Sequence, residues 1–382
     1  MKEKRRRVLP LILAASLWCG QGTVLGGQVM KDLPQDYSTE ALEAAIEQGL
    51  LYGVDGAILP KEELTRAQLA AMLVRAFGEG EEVDLSQFSD VESGAWYEKE
   101  LAMAVERGAM YGDGEKLYPD RPVTREGAST VLARLLALPK GDVTVLNPFL
   151  DGEACADWAK ESLAAMVAAG YVHGAEGALE PKANITRADF AVVMHQIVGQ
   201  YLSESGVYTE VAEGTVVVSA GNVTLRGVEI TGDLVIGEGV GEGIVTLEDV
   251  TVKGRILIRG GKEVKCTGST EVYKVLCANG SEKVRVEVEE GAFVTVLSLT
   301  DGEKEVELAG TVDRAQVGEG GSLLIEKGAL EEVTLSGEKA AVTVGKEAQV
   351  EEVILSGDST KVQAEGKVDR VVVQGTGCVV SG

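Results

Sequence analysis

Leu64-Thr65-Arg66-Ala67-Gln68 returns as Val123-Thr124-Arg125-Glu126-Gly127 and again as Ile185-Thr186-Arg187-Ala188-Asp189. Aligned on the threonine, the three copies run upstream in register without a gap. Each is led by an aromatic (Tyr37, Trp96, Trp158), followed by Ile46, Val105 and Val167 and by the glycines Gly49, Gly108 and Gly170. Gly53, Gly112 and Gly174 come next, then Ile58, Leu117 and Leu179, and then Pro60, Pro119 and Pro181. Internal repetition outranks any single motif, because every copy testifies to the same unit of structure.

The stretch before the first glycine is helical in pattern, with Ala41, Ala44, Ala45 and Ile46 on one face. Gly49 and its equivalents sit where a helix takes a left-handed stop, and a loop marked by Gly and Pro runs on to the threonine. That threonine predicts an N-cap, its hydroxyl accepting from the backbone N–H three residues on. Gln68 at N3 completes a capping box. Asp189 is shorter but suits the helix start by charge, and Gly127 supplies nothing, so the second of these helices is expected to be the least well nucleated. Each following helix has one apolar face: Leu69, Met72, Leu73, Ala76 and Phe77; Ala128, Val131, Leu132 and Leu135; Phe190, Val193, Met194 and Ile197. One helix–loop–helix cannot bury that stripe alone; three packed together can. A shared bundle with loops radiating outward is expected.

These residues resemble the S-layer homology domain, which occurs in threes in exported bacterial proteins. The resemblance covers roughly residues 31–200, in repeats 31–80, 86–140 and 147–201. Its opening motif is matched by Phe88-Ser89-Asp90-Val91 and more loosely by Phe149-Leu150-Asp151, with no clear counterpart in the first copy. It implies an α-helical pseudo-trimer that binds secondary cell-wall polysaccharide, often an amino-sugar chain carrying a pyruvate ketal. On this reading Arg66, Arg125 and Arg187 stand at N1 beside free N–H groups and offer a carboxylate site. Thr65, Thr124 and Thr186 fix those helix starts. Trp96, Trp158, Tyr52 and Tyr111 offer flat faces to sugar rings, and Gly53, Gly112 and Gly174 allow close backbone approach. The residues alone leave alternatives open: the tryptophans as core, the glycines as turn geometry, the arginines as solvated. Where the family has glutamate, this chain has Gln68, Gly127 and Asp189, which weakens the groove built on copy two. His173 in place of Tyr52 and Tyr111 sets the third apart.

Lys2, Lys4, Arg5, Arg6 and Arg7 precede an apolar run from Val8 to Trp18, which reads as a secretory signal over residues 1–27. Trp18 beside Cys19 argues against lipoprotein processing, and no other stretch is apolar enough to span a membrane. The net charge of −25 excludes nucleic acid as a natural partner. Cys155, Cys266, Cys277 and Cys378 match no zinc spacing. Cys266 and Cys277 suit either a disulfide or buried free thiols. No metal or cofactor site is expected.

Near Ser203 the composition turns to Val, Leu, Ile, Gly and Thr. Short runs such as Thr215-Val216-Val217-Val218, Asp233-Leu234-Val235-Ile236 and Arg255-Ile256-Leu257-Ile258 read as strands. Val333-Thr334-Leu335-Ser336-Gly337 becomes Val353-Ile354-Leu355-Ser356-Gly357 and then Val371-Val372-Val373-Gln374-Gly375, at intervals of 20 and 18 residues. Such a period predicts a parallel β-solenoid over residues 206–382, with a β-sandwich as the alternative. The fold class is therefore multi-domain α + β. Its last coil presents an unpaired edge suited to self-association. Both histidines lie in the first half, which excludes a Ser–His–Asp set in the second. Glu248-Asp249 with Arg255 and Arg259 are the nearest candidates for a polysaccharide-cleaving site. The expected function is a non-enzymatic wall anchor displaying a structural module at the bacterial surface; the alternative is a wall-anchored, polysaccharide-degrading enzyme.

Overall fold

The computed structural model describes residues 23–25, 28–278, 283–302 and 304–382. The export signal, with Cys19, falls almost wholly outside the described residues. Six helices follow in pairs: α1 (Thr39–Glu47) and α2 (Arg66–Phe77), α3 (Glu98–Glu106) and α4 (Arg125–Leu135), α5 (Asp157–Ala168) and α6 (Arg187–Ile197). The pairs interleave. α2 packs on α3, α4 on α5, and α6 closes the ring on α1. Leu69, Leu73, Leu132, Leu135, Phe77 and Phe190 meet in one core, each almost fully buried, so the apolar stripe of each repeat is buried by its neighbours.

At the centre the residue before each threonine makes a closed cycle of backbone bonds. Leu64 N–H donates to Ile185 O, Ile185 N–H to Val123 O, and Val123 N–H to Leu64 O, at 2.9, 2.8 and 2.9 Å. The threonines cap as expected, accepting from the N3 amides of Gln68, Gly127 and Asp189 at 3.3, 3.2 and 3.0 Å. Only the first repeat completes the capping box, Thr65 N–H donating to Gln68 Oε1.

From Val198 the chain is a parallel β-solenoid with three faces per coil. The strand Val198–Leu202 follows α6 directly and pairs with Thr215–Val218, which leads coil by coil through 234–236, 256–258, 275–277, 297–299, 315–317, 333–335, 353–355 and 371–373. Stacked Val, Leu and Ile fill the interior, as at Leu234, Ile256, Val275 and Leu297. A sandwich would need antiparallel pairing; every pairing in this sheet is parallel. Cys266 and Cys277 lie on different faces as free thiols inside the stack.

The solenoid lies against the helical half. On the face that begins with Tyr201, the outward position reads Val217, Val235, Leu257 and Leu276, all buried, and these join the helical core rather than the solenoid interior. Three arginines finish the contact at the C-terminal ends of the helices. Arg255 Nη1 donates to Ala137 O at 2.8 Å and its Nη2 to Leu136 O, while Arg259 Nη1 donates to Leu135 O at 3.2 Å. Arg107 donates to Gly78 O at the end of α2. Cations here satisfy orphan carbonyls and oppose the negative end of the helix dipole. Glu238 lies between Arg107 and Arg259, 3.5 and 2.7 Å away. Gly78 (φ +87°) meets Gly239 so closely that a Cβ on Gly78 would stand 2.3 Å from the Gly239 Cα.

Candidate functional site

The amides at N1 and N2 of α2, α4 and α6 are not free, contrary to the sequence expectation. Arg66, Arg125 and Arg187 N–H donate to the carbonyls of Arg121, Ala183 and Glu62, and Ala67, Glu126 and Ala188 N–H to those of Pro119, Pro181 and Pro60. Each acceptor belongs to the loop of the next repeat in the ring. The helix N-termini are thus spent on assembling the ring.

Those side chains follow the same cyclic rule. Arg66 donates from Nε and Nη2 to Leu117 O and Tyr111 O at 2.7 and 2.8 Å. Arg187 does so to Ile58 O and Tyr52 O at 2.8 and 2.9 Å, and Arg125 Nε reaches Leu179 O at 3.2 Å. Every guanidinium therefore lies in a cleft between two repeats, clamped by the neighbour's loop. Burial holds Arg66 and Arg187 below the usual arginine range.

Three grooves result, one per repeat loop. The first carries Tyr52, with Arg75 over its ring at 4.5 Å, and Arg187; the second carries Tyr111, with Arg134 over its ring at 4.8 Å, and Arg66. The third is a cleft of about 400 Å³ lined among others by Tyr37, Arg125, His173, Gly174, Asp189 and Gln196. Its presence of Tyr37, from the first repeat, indicates where the pseudo-threefold repetition puts Trp96 and Trp158 in the first and second grooves. Both tryptophans are solvent-facing, 60% and 61% exposed, which removes the reading of them as core. In the third groove Tyr37 donates to Asp189 at 2.7 Å, a bond that pushes its hydroxyl up to about 12.

The glycines have a local role. A Cβ on Gly53, Gly112 or Gly174 would meet the carbonyl of Ala57, Lys116 or Ala178 at 2.8, 2.2 or 2.5 Å, so the space they leave is filled by their own loop. Three aspartates that sequence reasoning did not group brace the same loops. Asp32, Asp90 and Asp151 each accept from two successive amides, Ile58 and Leu59, Leu117 and Tyr118, Leu179 and Glu180. Met30-Lys31-Asp32 is therefore the missing counterpart of Phe88-Ser89-Asp90 in the first copy; it stands one residue out of register. Glu126, buried, replaces alanine of the other copies. It accepts from Ala156 N–H at the start of α5 and pairs with Lys182 at 2.7 Å.

The candidate cleavage residues on the solenoid do not form a site. Glu248 pairs with Arg226, Asp249 braces Ser269, and Arg255 and Arg259 are used at the junction with the helices. Among the described residues no cluster of His, Cys, Asp and Glu is suited to a metal, and no helix is long and apolar enough to cross a membrane.

The family model of the S-layer homology domain matches three times, at residues 29–70, 87–126 and 148–191. The chain is 29% identical over 319 residues to a surface-layer 125 kDa protein of Lysinibacillus sphaericus, covering 81% of this chain and 24% of that protein. It is 27% identical over 365 residues to an S-layer protein of Bacillus thuringiensis subsp. finitimus, covering 91% and 42%. An amylopullulanase of Thermoanaerobacterium thermosulfurigenes is 28% identical over 173 residues, 44% of this chain and 9% of that enzyme. In each case the chain spans less than half of the relative's length. The relatives that align along most of this chain are surface-layer proteins.

Proposed function

From three S-layer homology domains followed by a parallel β-solenoid, in a secreted protein of the cell surface and wall, we propose that the inter-repeat grooves hold an acidic wall polysaccharide and that the solenoid is the displayed module. Residues 31–80, 86–140 and 147–201 are the anchoring repeats and 206–382 the display. The observation that carries this reading is the repeated pairing of a cleft-bound arginine with exposed aromatic faces. Guanidinium recognises a sugar carboxylate, and a flat ring covers a sugar face while its own exposure in the free protein is otherwise unfavourable. A pyruvate ketal is the acidic group that fits a neutral amino-sugar chain. Contact between copies through the last coil, where Val373, Val379 and Val380 are half exposed, is the proposed means of association.

Co-sedimentation of the full chain with purified wall sacculi tests the anchor. Trp96→Ala and Trp158→Ala remove solvent-facing rings and should weaken retention without lowering the melting temperature. Undiminished retention of the double variant would remove the aromatic faces from the site.

A further inference from the structure

A second face of the solenoid, not the one that packs on the helices, is divided along its length. It is built by residues 229–231, 251–253, 271–273, 293–295, 311–313, 329–331, 349–351 and 367–369, one set per coil in parallel register. The middle residue of each set, as at Ile230, Val252, Val272 and Val294, turns inward, so the residues on either side form two outward columns. Tyr273 and Phe293 stand there as diagonal neighbours, 63% and 51% exposed, and they are the only aromatic residues after Tyr208. Lys253 precedes Tyr273 in its column, and in the later coils the same column holds Asp313, Glu331, Glu351 and Asp369. Lys253 pairs with Glu229 at 3.3 Å and Lys367 with Asp369 at 3.0 Å, both at the surface, whereas Glu331 and Glu351 make no ion pair among the described residues.

Exposed neighbouring rings on an otherwise polar sheet mark a contact surface, and the order of charges says what covers it. A two-fold axis lying in this face, parallel to the strands and between the coils of Phe293 and Thr311, turns the solenoid end for end while each column stays on itself. Lys253 of one copy then stands opposite Glu351 of the other, Glu229 opposite Lys367, Tyr273 opposite Glu331 and Phe293 opposite Thr311. No two like charges are opposed anywhere along the two columns. Moving the axis onto the coil of Asp313 would set that carboxylate against its own copy, so the charges fix the register.

We propose that this face is an interface with a second, antiparallel copy of the chain, closing as a two-fold dimer. Lys253 and Glu351 form ion pairs across it, and the Tyr273 hydroxyl donates to the unpaired Glu331 carboxylate. Coils about 4.8 Å apart make the strip about 34 Å long, narrow enough to lie at the small end of specific interfaces, so weak, concentration-dependent pairing is expected. This face is separate from the last coil, and neither contact depends on the other.

The test is sedimentation equilibrium of the full chain at about 0.15 M salt, where repulsion between two bodies of net charge −25 is screened beyond about 8 Å. A monomer–dimer equilibrium is expected. Lys253→Glu with Lys367→Glu makes the opposed charged positions all acidic, and Glu229→Lys with Glu351→Lys makes them all basic. Each variant alone should dimerise at least about 100-fold more weakly. An equimolar mixture of the two should recover the dimer, because every opposed pair is then of unlike charge. The basic variant is less negative than the unaltered chain, so its loss of pairing cannot come from overall repulsion. Circular dichroism melting checks that each variant is folded. An unaltered chain that stays monomeric up to about 0.5 mM, or a mixture of folded variants that stays monomeric, overturns the proposal. Val373→Lys with Val380→Lys alters only the last coil and should leave this dimer in place. A dimer lost in that variant but kept in both charge variants refutes this interface and leaves the last-coil contact standing.

Discussion

Leu257→Ala should separate the two halves of the molecule without unfolding the solenoid. Leu257 points outward from the strand 251–258, is 0% exposed, and sits between Val235 and Leu276 in the ladder that meets the helical core. Because it does not face the solenoid interior, its burial stabilises docking alone. Truncating a buried leucine costs about 2–5 kcal/mol, which shifts the docking equilibrium by roughly 30-fold to 5,000-fold. Each kcal/mol moves the melting point of a body the size of the helical half by about 2–4 °C. The expected scanning calorimetry trace therefore splits, with the helical transition lowered by about 4–20 °C and the solenoid transition in place. Ile256→Ala is the control, since Ile256 points inward and is equally buried; it should lower the solenoid transition instead. A single transition within about 2 °C of the unaltered protein for Leu257→Ala would refute the claim that this ladder couples the halves.

Glu238→Gln leaves Arg107 and Arg259 without their shared counter-charge and should cost about 3–5 kcal/mol, read as a lowered denaturation midpoint. Burial alone would raise the Glu238 carboxyl, but Arg259 and Arg107 hold it below the usual glutamate range. Its stabilising contribution is therefore present above the unfolded glutamate pKa and lost as pH falls through the depressed folded value, so acid titration followed by small-angle scattering should loosen the junction, and should do so less in the Gln variant. Gly127→Gln gives the second repeat the capping box of the first and removes a helical glycine, which should stabilise it by about 1 kcal/mol in thermal melts; a lower melting point would mean that the 3.1 Å approach to Thr124 Oγ1 is not tolerated. Burial pushes the Cys266 and Cys277 thiols up to about 12, so both should resist Ellman's reagent in the native protein and react after unfolding; prompt labelling at neutral pH contradicts their placement in the stack.

The helical half was legible because three copies hold one register, and position-by-position agreement exposes caps, loops and groove residues together. What escaped was whatever lay off that register or joined copies to one another. Asp32 was hidden because Met30 stands where Phe88 and Phe149 mark the motif in the other copies. The closed cycle through Leu64, Val123 and Ile185 depends on backbone atoms of three distant segments, and so does the use of the N1 and N2 amides. The fate of a helix end depends on what packs against it, and a cap motif does not carry that information. Likewise Trp96 and Trp158 could be placed on a helix face from spacing, but their exposure depends on the neighbouring repeat. In the solenoid, coils between residues 312 and 373 repeat at 18 to 20 residues and are visible in the sequence. Earlier coils vary: Ile236 pairs with Ile258 and Cys277 with Leu299, 22 residues apart, whereas Ile258 pairs with Cys277 at 19. Unequal turns at the corners shift the period, while the inward alternation continues unbroken.

The outward ladder also decides where the solenoid stands free of the helices. Tyr201, Val217, Val235, Leu257 and Leu276 are apolar because the helices cover them. The same position continues as Ser298, still buried, then Gln316, exposed, then Thr334. A period-2 strand carries one core face by its inward residues; a second apolar row is needed only where another body lies on the sheet. Its change from Leu276 to Ser298 and Gln316 therefore marks the limit of docking along the solenoid. The helix C-termini take up this contact through Arg107, Arg255 and Arg259, while the N1 and N2 amides at the other ends of α2, α4 and α6 are taken up by loops of the ring. The two ends of these helices are thus spent differently: the C-terminal carbonyls of α2 and α4 take cations at the junction with the solenoid, and the N-terminal amides close the helical ring on itself.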